Sequence, residues 1–258
     1  MRRIALALVI LLFPLIARAG TVPCWFEAGS VVVPANLGGI AGDFILDTAT
    51  EGLQLHETRA QGEGLPPSFE ADLRLAGRTY PLRAVTVVDL DARTHAFPTP
   101  IAGVIGAGVL GEDVLDLSFV PCRLALFSPG SAPRRRAVET FRLGSTGSRP
   151  LIKATVTDGT RIRQGRFLLA TSSDAALRLS AEAVSLPDQT DMAPLLPYGP
   201  ARRTLRALSV AGLLAENLPT GLTPAQEGQL GEIGPQVFSG WILRIQSGRL
   251  SLRRDWDH

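Results

Sequence analysis

Aromatic residues, cysteine, histidine and lysine are all scarce in this 258-residue chain. Aromatic residues make up 6% of it, and it has two cysteines, three histidines and a single lysine, Lys153. So few cysteines and histidines, none of them clustered, supply no metal-binding motif. The chain also lacks the glycine spacing of a phosphate-binding or dinucleotide-binding loop. We therefore expect no metal and no cofactor.

An excess of charge of one sign is also missing. The chain has 26 basic and 24 acidic residues, a formal net charge of +2. Proteins that bind nucleic acids normally present a concentrated basic face, and this composition demands none. Nucleic acid is therefore not an expected partner.

The N-terminus carries the pattern of a secretory signal peptide. Arg2 and Arg3 precede an apolar stretch over 4–16, and the small residues of Ala17-Arg18-Ala19 follow it. This pattern predicts a signal peptide over 1–19 and a periplasmic or secreted protein. The apolar stretch is short for a membrane span, which needs about 20 residues, so we expect no stable membrane insertion after cleavage. An uncleaved anchor is the alternative.

The two cysteines, Cys24 and Cys122, would lie in an oxidising compartment. A disulfide between them would close a loop of about 100 residues and stabilise the fold by roughly 4–5 kcal/mol through loop entropy. Two buried, unpaired thiols are the alternative. We favour the disulfide.

Glycine and proline are abundant, at 26 and 19 residues. They alternate with short apolar or β-branched runs such as Val31-Val32-Val33 and the run over 84–88. This pattern is typical of many turns and short strands and predicts an all-β fold. We expect a hairpin turn at Gly77-Arg78 and short helices within 51–61 and 108–115.

The chain after the signal peptide repeats itself. The run from Phe44 to Thr50 (FILDTAT) matches the run from Phe167 to Ser173 (FLLATSS), and Gly103-Val104-Ile105-Gly106 matches Gly231-Glu232-Ile233-Gly234. Because the register holds across separated blocks, the repeat indicates a duplicated lobe. We predict an N-terminal lobe over 24–128 and a C-terminal lobe over 149–254, with a cleft between them.

Residues 129–148 are predicted to form a linker between the lobes. Proline, glycine and serine punctuate its first part and no apolar period continues through it. Arg134-Arg135-Arg136 lies within this segment. We interpret the triplet as a solvated charge run, with a docking patch for an acidic surface as the alternative.

These residues resemble the aspartic-peptidase superfamily of pepsin and retropepsin. There an apolar strand ends in Asp-Thr/Ser-Gly, and two apolar residues and a glycine later pass beside it, as Phe44 to Thr50 and Val104-Ile105-Gly106 do here. The resemblance implies two β-barrel-like lobes related by a pseudo-twofold axis and a peptide or unfolded protein segment as ligand. It implies a catalytic role for Asp47, with Thr48 and Thr171 locking the two turns together. It also implies a substrate cleft formed by Ala49, Thr50, Gly77, Tyr80, Gly106, Ser172 and Gly234.

The chain departs from the family pattern at the second catalytic position. Hydrolysis in that family uses a water held between two carboxylates that share a proton. Ala170 stands where the second lobe should supply its aspartate, and a methyl group can neither accept a proton nor hold a water. Asp174 lies past the turn and is not expected to substitute. Hydrolysis by one chain should therefore be impaired.

Ala49 is a second departure, because the family has glycine after Asp-Thr. Its methyl group is expected to crowd the turn, whose backbone N–H groups would otherwise approach the carboxylate closely. Tyr80 could overhang the cleft, although a half-buried place in a strand is the interpretation we favour. His56, His95 and His258 have no converging partners in the sequence, so we interpret all three as surface residues.

Three functions are consistent with these features. The first is a monomeric aspartic-peptidase homologue that has lost its catalytic pair and keeps a peptide-binding cleft. The second is an active peptidase that pairs Asp47 of two chains, although the second lobe should already cover the face that another copy would need. The third is a non-enzymatic envelope binding module on the same scaffold. We favour the first.

Overall fold

A computed structural model describes residues 20–111, 113–134, 136–180, 203–224, 228–246 and 248–254. The predicted signal peptide over 1–19 lies outside the described residues. Among the described residues, no helix is long and apolar enough to span a membrane.

The N-terminal half consists of ten strands with three short helices between them. The strands are β1 (Thr21–Pro23), β2 (Trp25–Glu27), β3 (Ser30–Leu37), β4 (Ile40–Asp47), β5 (Leu53–His56), β6 (Ser68–Leu75), β7 (Arg78–Val88), β8 (Ile101–Gly106), β9 (Val114–Phe119) and β10 (Cys122–Phe127). The helices are α1 (Glu57–Gly62), α2 (Asp91–Thr94) and α3 (Ala107–Leu110).

The C-terminal half has ten more strands in its described residues and a 3₁₀ turn over Pro235–Phe238. The strands are β11 (Glu139–Arg142), β12 (Gly144–Thr146), β13 (Arg149–Thr157), β14 (Ile162–Leu169), β15 (Leu177–Ser180), β16 (Arg203–Val210), β17 (Leu213–Thr223), β18 (Gly231–Ile233), β19 (Trp241–Gln246) and β20 (Arg249–Arg254).

Each half folds into a closed six-stranded barrel. The first sheet has the order β2-β3-β4-β8-β5-β7-β6. Its six strands from β3 to β6 in this order close into a barrel because β3 also pairs with β6, and β2 lies at the edge. The second has the order β12-β13-β14-β18-β15-β17-β16 and closes through β13 and β16. The two sheets have the same strand order, and each strand of the second has a number ten higher than its counterpart in the first. The predicted two-lobed, all-β fold is confirmed.

The duplication extends to the packing inside the barrels. Gly103 and Gly231 hold the same place, where a side chain would lie 2.1 Å from the Gln54 carbonyl oxygen and 1.9 Å from that of Arg178. Only glycine therefore allows these neighbouring strands to approach. The buried apolar residues recur in matching pairs: Phe44 with Phe167, Leu46 with Leu169, Leu53 with Leu177, and Ile105 with Ile233.

A six-stranded sheet joins the two barrels. Its order is β1-β10-β9-β19-β20-β11, so each half contributes three counterpart strands on either side of the β9–β19 pair. Leu117 lies opposite Leu243 in that antiparallel pair. This arrangement is what a pseudo-twofold axis between β9 and β19 produces.

The segment predicted to be a linker, 129–148, contains two strands, β11 and β12. β11 pairs with β20 in the joining sheet and β12 pairs with β13 of the second barrel. At the other edge, Cys24 and Cys122 form a disulfide that spans 98 residues of sequence. The disulfide links the chain just after β1 to β10, where Phe26 and Phe119 also pack edge to face with ring centroids 5.6 Å apart.

Candidate functional site

The two repeated turns meet between the barrels. The backbone N–H of Thr48 donates to Thr171 Oγ1 at 3.1 Å, and Thr171 Oγ1 donates to the Leu46 carbonyl at 2.7 Å. In the reverse direction, Thr48 Oγ1 donates to the Leu169 carbonyl. Both threonines are buried, so these bonds are shielded from water and hold the turns in a fixed relation.

Asp47 ends β4 at this meeting point, and its carboxylate is buried with only 5% of the residue exposed. Oδ1 accepts the backbone N–H of Ala49 at 2.9 Å, and Oδ2 accepts the Thr50 hydroxyl at 2.7 Å. The Ala49 methyl group therefore does not keep the turn's N–H from the carboxylate, contrary to the expectation from the sequence. Both carboxylate oxygens have donors from their own turn.

A third donor to Asp47 comes from outside the repeated turns. Arg93 lies in α2, between β7 and β8, and its Nη2 is 2.6 Å from Asp47 Oδ2. The same nitrogen donates to Ser172 Oγ at 3.0 Å in the second lobe. Ser172 Oγ in turn lies 2.8 Å from Ser30 Oγ. The guanidinium thus covers the carboxylate and bonds both lobes at once.

Ala170 occupies the position that corresponds to Asp47 in the second turn. It is 1% exposed, and its backbone N–H donates to the Ile233 carbonyl at 3.0 Å. Its side chain offers no polar atom to a water or a ligand. The second turn therefore reproduces the backbone of the first without its carboxylate.

A cavity of about 730 Å³ opens over the turns, within the 300–1,000 Å³ range of ligand sites. Three carboxyl groups line it, those of Asp47, Asp174 and Glu232, together with the guanidinium groups of Arg93 and Arg178. The other lining residues are Ala28, Ser30, Ala49, Thr50, Ala92, His95, Ala96, Phe97, Ser172 and Ser173.

Two of the three carboxyl groups are bonded to an arginine. Asp47 is bonded to Arg93, and Asp174 is bonded to Arg178, four residues later in the sequence. Glu232 has no side-chain hydrogen bond to any described residue. Burial, and secondarily the charge of Asp47, raise the pKa of Glu232, which Arg178, Arg93 and Arg149 only partly oppose.

The position of Glu232 shows how the two lobes differ. Glu232 lies opposite Leu168 in β14, as Val104 lies opposite Ile45 in β4. Val104 is fully buried in a small apolar cluster with Ile45 and its neighbours. The second lobe thus places a carboxyl group where the first has a valine, and this makes the cleft chemically asymmetric. The repeat in the sequence aligns these two residues, so this difference was visible there.

The structure places only some of the predicted cleft residues around the cavity. Ala49, Thr50 and Ser172 line it. Gly106 and Gly234 lie behind the turns, where their N–H groups donate to the carbonyls of Gly52 and Ala176.

Gly77 and Tyr80 lie away from the cavity. Gly77 turns the β6–β7 hairpin with a φ of +73° and packs near Gly20. Tyr80 is buried in β7 and donates to Asp113 Oδ2 at 2.5 Å, while Arg78 also bonds Asp113. Burial raises the pKa of Tyr80. The interpretation of Tyr80 as a strand residue therefore agrees better with the structure than a place over the cleft does, although Tyr80 is fully rather than half buried.

The histidines were only partly interpreted correctly. His56 is buried, with Nδ1 accepting the Thr58 N–H at 3.3 Å and Nε2 3.2 Å from Asp91 Oδ1. The interpretation of His56 as a surface residue was wrong, because its ring caps the N-terminus of α1 and is buried there. His95 is exposed at the cavity rim, and His258 lies outside the described residues. No group of three or more metal-ligating side chains occurs in the described part of the chain.

No protein-family model and no curated protein sequence matches the chain. Its structure is similar to the crystal structure of an aspartic proteinase from Irpex lacteus, with a TM-score of 0.54 at 14% sequence identity. The similarity covers 92% of this chain and 97% of that one. Identity this low carries information on the fold alone. The chain therefore has the two-lobed, all-β, pepsin-like fold of the aspartic proteinases.

Proposed function

We propose that this protein binds peptide segments in the cleft between its lobes and does not hydrolyse them. The observation that carries the proposal is the state of the two catalytic positions. Asp47 is already bonded to three donors, from Ala49, Thr50 and Arg93, and position 170 is a buried alanine.

This arrangement lacks two requirements of acid–base hydrolysis. One carboxyl group must donate a proton to the amide carbonyl while another takes a proton from water. Ala170 supplies neither group, and Arg93 Nη2 already donates to the Asp47 oxygen that would hold the water. Glu232 faces the same cavity, but it projects from β18 rather than from the second turn. We therefore assign it no catalytic role.

Two features of the cleft support peptide binding. The cavity is of ligand size, and it combines apolar walls from Ala92, Ala96 and Phe97 with hydroxyl groups from Ser30 and Ser172. A peptide backbone offers both hydrogen-bond donors and acceptors to such groups. The same cavity could serve an envelope binding module, which differs from our proposal only in its ligand.

The alternative of an active dimer is disfavoured by the place of Asp47. Its turn is bonded to the second turn of the same chain through Thr48 and Thr171. Arg93 closes the remaining side of the carboxylate. A second copy could bring its own Asp47 within reach only if both lobes separated.

Binding can be tested by filling the cavity. We would incubate the chain from Gly20 onward with fluorescent peptides from an unfolded protein and measure fluorescence anisotropy. Ala49→Trp fills the cavity, and Thr86→Trp, on the exposed face of β7, is the matched control. We expect binding by the unmodified chain and the control, and at least a tenfold loss with Ala49→Trp. Absence of binding, or equal binding by all three, would contradict the proposal.

A further inference from the structure

The sheet that joins the barrels has one face turned to the core and an opposite, outer face that the segment before β11 covers at its centre. The inner face packs Leu117, Leu243 and Leu250 against the barrels, all of them 1% exposed or less. Because side chains alternate along a strand, the intervening residues lie on the outer face. That face points away from both barrels and from the cleft.

Arginines dominate the outer face. Arg123 in β10, Arg249 in β20 and Arg142 in β11 alternate with inward-pointing leucine or phenylalanine and are exposed. The chain before β11 also crosses this face, since Arg244 donates to the Pro133 carbonyl at 2.8 Å. The crossing brings Arg136 beside Arg244.

Among the described residues, no carboxylate forms an ion pair with Arg123, Arg142 or Arg249. Asp116 is the one carboxylate on the outer face among the described strands, and Arg244 already binds both of its oxygens. Arg142 and Arg249 are direct partners in the β11–β20 pair, and like charges placed opposite each other destabilise a strand pair. An anionic partner would remove this repulsion.

The charge of the chain is divided unequally between its two halves. Residues 24–128 contain 13 acidic and 6 basic side chains, whereas residues 129–254 contain 9 acidic and 17 basic ones. The net charge of +2 therefore hides an acidic half and a basic half. Such asymmetry gives the molecule a strong electrostatic orientation toward an anionic surface.

We propose that the outer face of the joining sheet binds the surface of an anionic lipid bilayer. The face is broad, since six strands spaced by about 4.8 Å span about 24 Å, and the one cavity described on it is only about 20 Å³. A broad basic surface with only a small cavity suits a bilayer better than a peptide side chain. Bound in this way, the cleft would face away from the membrane.

The test is co-sedimentation of the chain from Gly20 onward, which contains every described strand, with lipid vesicles. One set of vesicles is made of phosphatidylcholine alone and the other contains 40% phosphatidylglycerol, a fraction chosen as on the order of that in anionic membranes. The face variant replaces Arg123, Arg142 and Arg249 with glutamine.

A matched control replaces three exposed arginines of the barrels, Arg59, Arg74 and Arg163, with glutamine and has the same net charge. We expect the unmodified chain and the control to bind anionic vesicles only, with affinity falling as salt rises. The face variant should lose at least about tenfold in partitioning. Both variants are checked by circular dichroism for folding.

Three outcomes would overturn the proposal. The unmodified chain fails to bind anionic vesicles at low salt, or both variants lose binding equally, so that net charge alone matters. In the third, the chain binds polyglutamate through the same arginines but binds no vesicles, which assigns the face to an acidic protein. None of these outcomes depends on peptide binding in the cleft.

Discussion

Arg93 and Asp47 form an ion pair at the centre of the cleft, with Arg93 Nη2 2.6 Å from Asp47 Oδ2. The Asp47 side chain is 6% exposed and that of Arg93 is 28% exposed. Because Arg93 also donates to Ser172, one guanidinium pairs with the Asp47 carboxylate and connects the lobes. This ion pair distinguishes the first turn from a turn whose aspartate has no charged partner.

Removing Arg93 should destabilise the protein. Arg93→Ala leaves a buried carboxylate without its charged donor, and we expect the free energy of unfolding to fall by about 1–3 kcal/mol. Urea denaturation followed by circular dichroism measures it. Arg74→Ala, at an exposed position in β6, is the control and should change stability by less than about 0.5 kcal/mol. Equal effects of the two changes would show that the ion pair contributes nothing.

Glu232 should make stability depend on pH. Its pKa is raised above the ordinary value of 4.5, first by burial and then by the charge of Asp47. At a pH between the ordinary pKa of the unfolded chain and the raised pKa of the folded chain, Glu232 keeps a proton in the folded chain that it has lost in the unfolded chain. The free energy of unfolding therefore falls as the pH rises through this range. Glu232→Gln removes the effect and should gain stability over the unmodified chain as the pH rises from 4 to 7. The gain is about 1.4 kcal/mol for each unit by which the pKa is raised.

Denaturation midpoints at several pH values check the Glu232 prediction. Glu70→Gln, at an exposed position in β6, is the control and should show no such trend. A stability difference for Glu232→Gln that stays constant from pH 4 to pH 7 would mean that Glu232 titrates normally.

The bonds between the two turns predict a cost for losing the Thr171 hydroxyl. Thr171→Val keeps the shape but leaves the Thr48 N–H and the Leu46 carbonyl unpaired in a buried place. Each unpaired group costs about 1–3 kcal/mol, so we expect a loss of about 2–6 kcal/mol for the two. Thr86→Val, on an exposed strand position, should be nearly neutral. A loss below about 0.5 kcal/mol for Thr171→Val would contradict this account of the turns.

The disulfide should contribute substantially to stability. Replacing Cys24 and Cys122 with serine opens a loop closed over 98 residues, and loop entropy predicts a loss of about 4–5 kcal/mol. Guanidinium denaturation with and without a reducing agent measures it. The reducing agent should destabilise the unmodified chain and leave the serine variant unchanged. Sensitivity of the serine variant to the reductant would point to another cause.

The fold was predictable because the two halves of the sequence contain the same pattern of residues. Matching apolar runs around Phe44 and Phe167, and matching glycines at 103 and 231, impose the same strands and the same close approaches in both halves. The two strands within 129–148 were not predicted, because β11 and β12 are short and depend on pairing with β20 and β13. Tertiary pairing supplied what the local pattern did not.

The candidate site was predictable only where it belongs to the repeat. Asp47, Thr48, Ala170 and Thr171 lie where the repeat predicts, at the point where the turns meet. Arg93 was missed because it comes from the segment between β7 and β8, whose path across the cleft has no local signal. Tyr80 and Gly77 were assigned to the cleft through the resemblance, but the β6–β7 hairpin turns toward Asp113 and Gly20 instead.

The proposed function requires that the cleft binds peptide without cutting it. The most direct measurement is mass spectrometry of an unfolded protein substrate incubated with the chain from Gly20 onward and with its Asp47→Asn variant, from pH 3 to pH 7. We predict no cleavage products from either protein, at concentrations where peptide binding is saturated. Products that form with the unmodified chain and disappear with Asp47→Asn would contradict the claim.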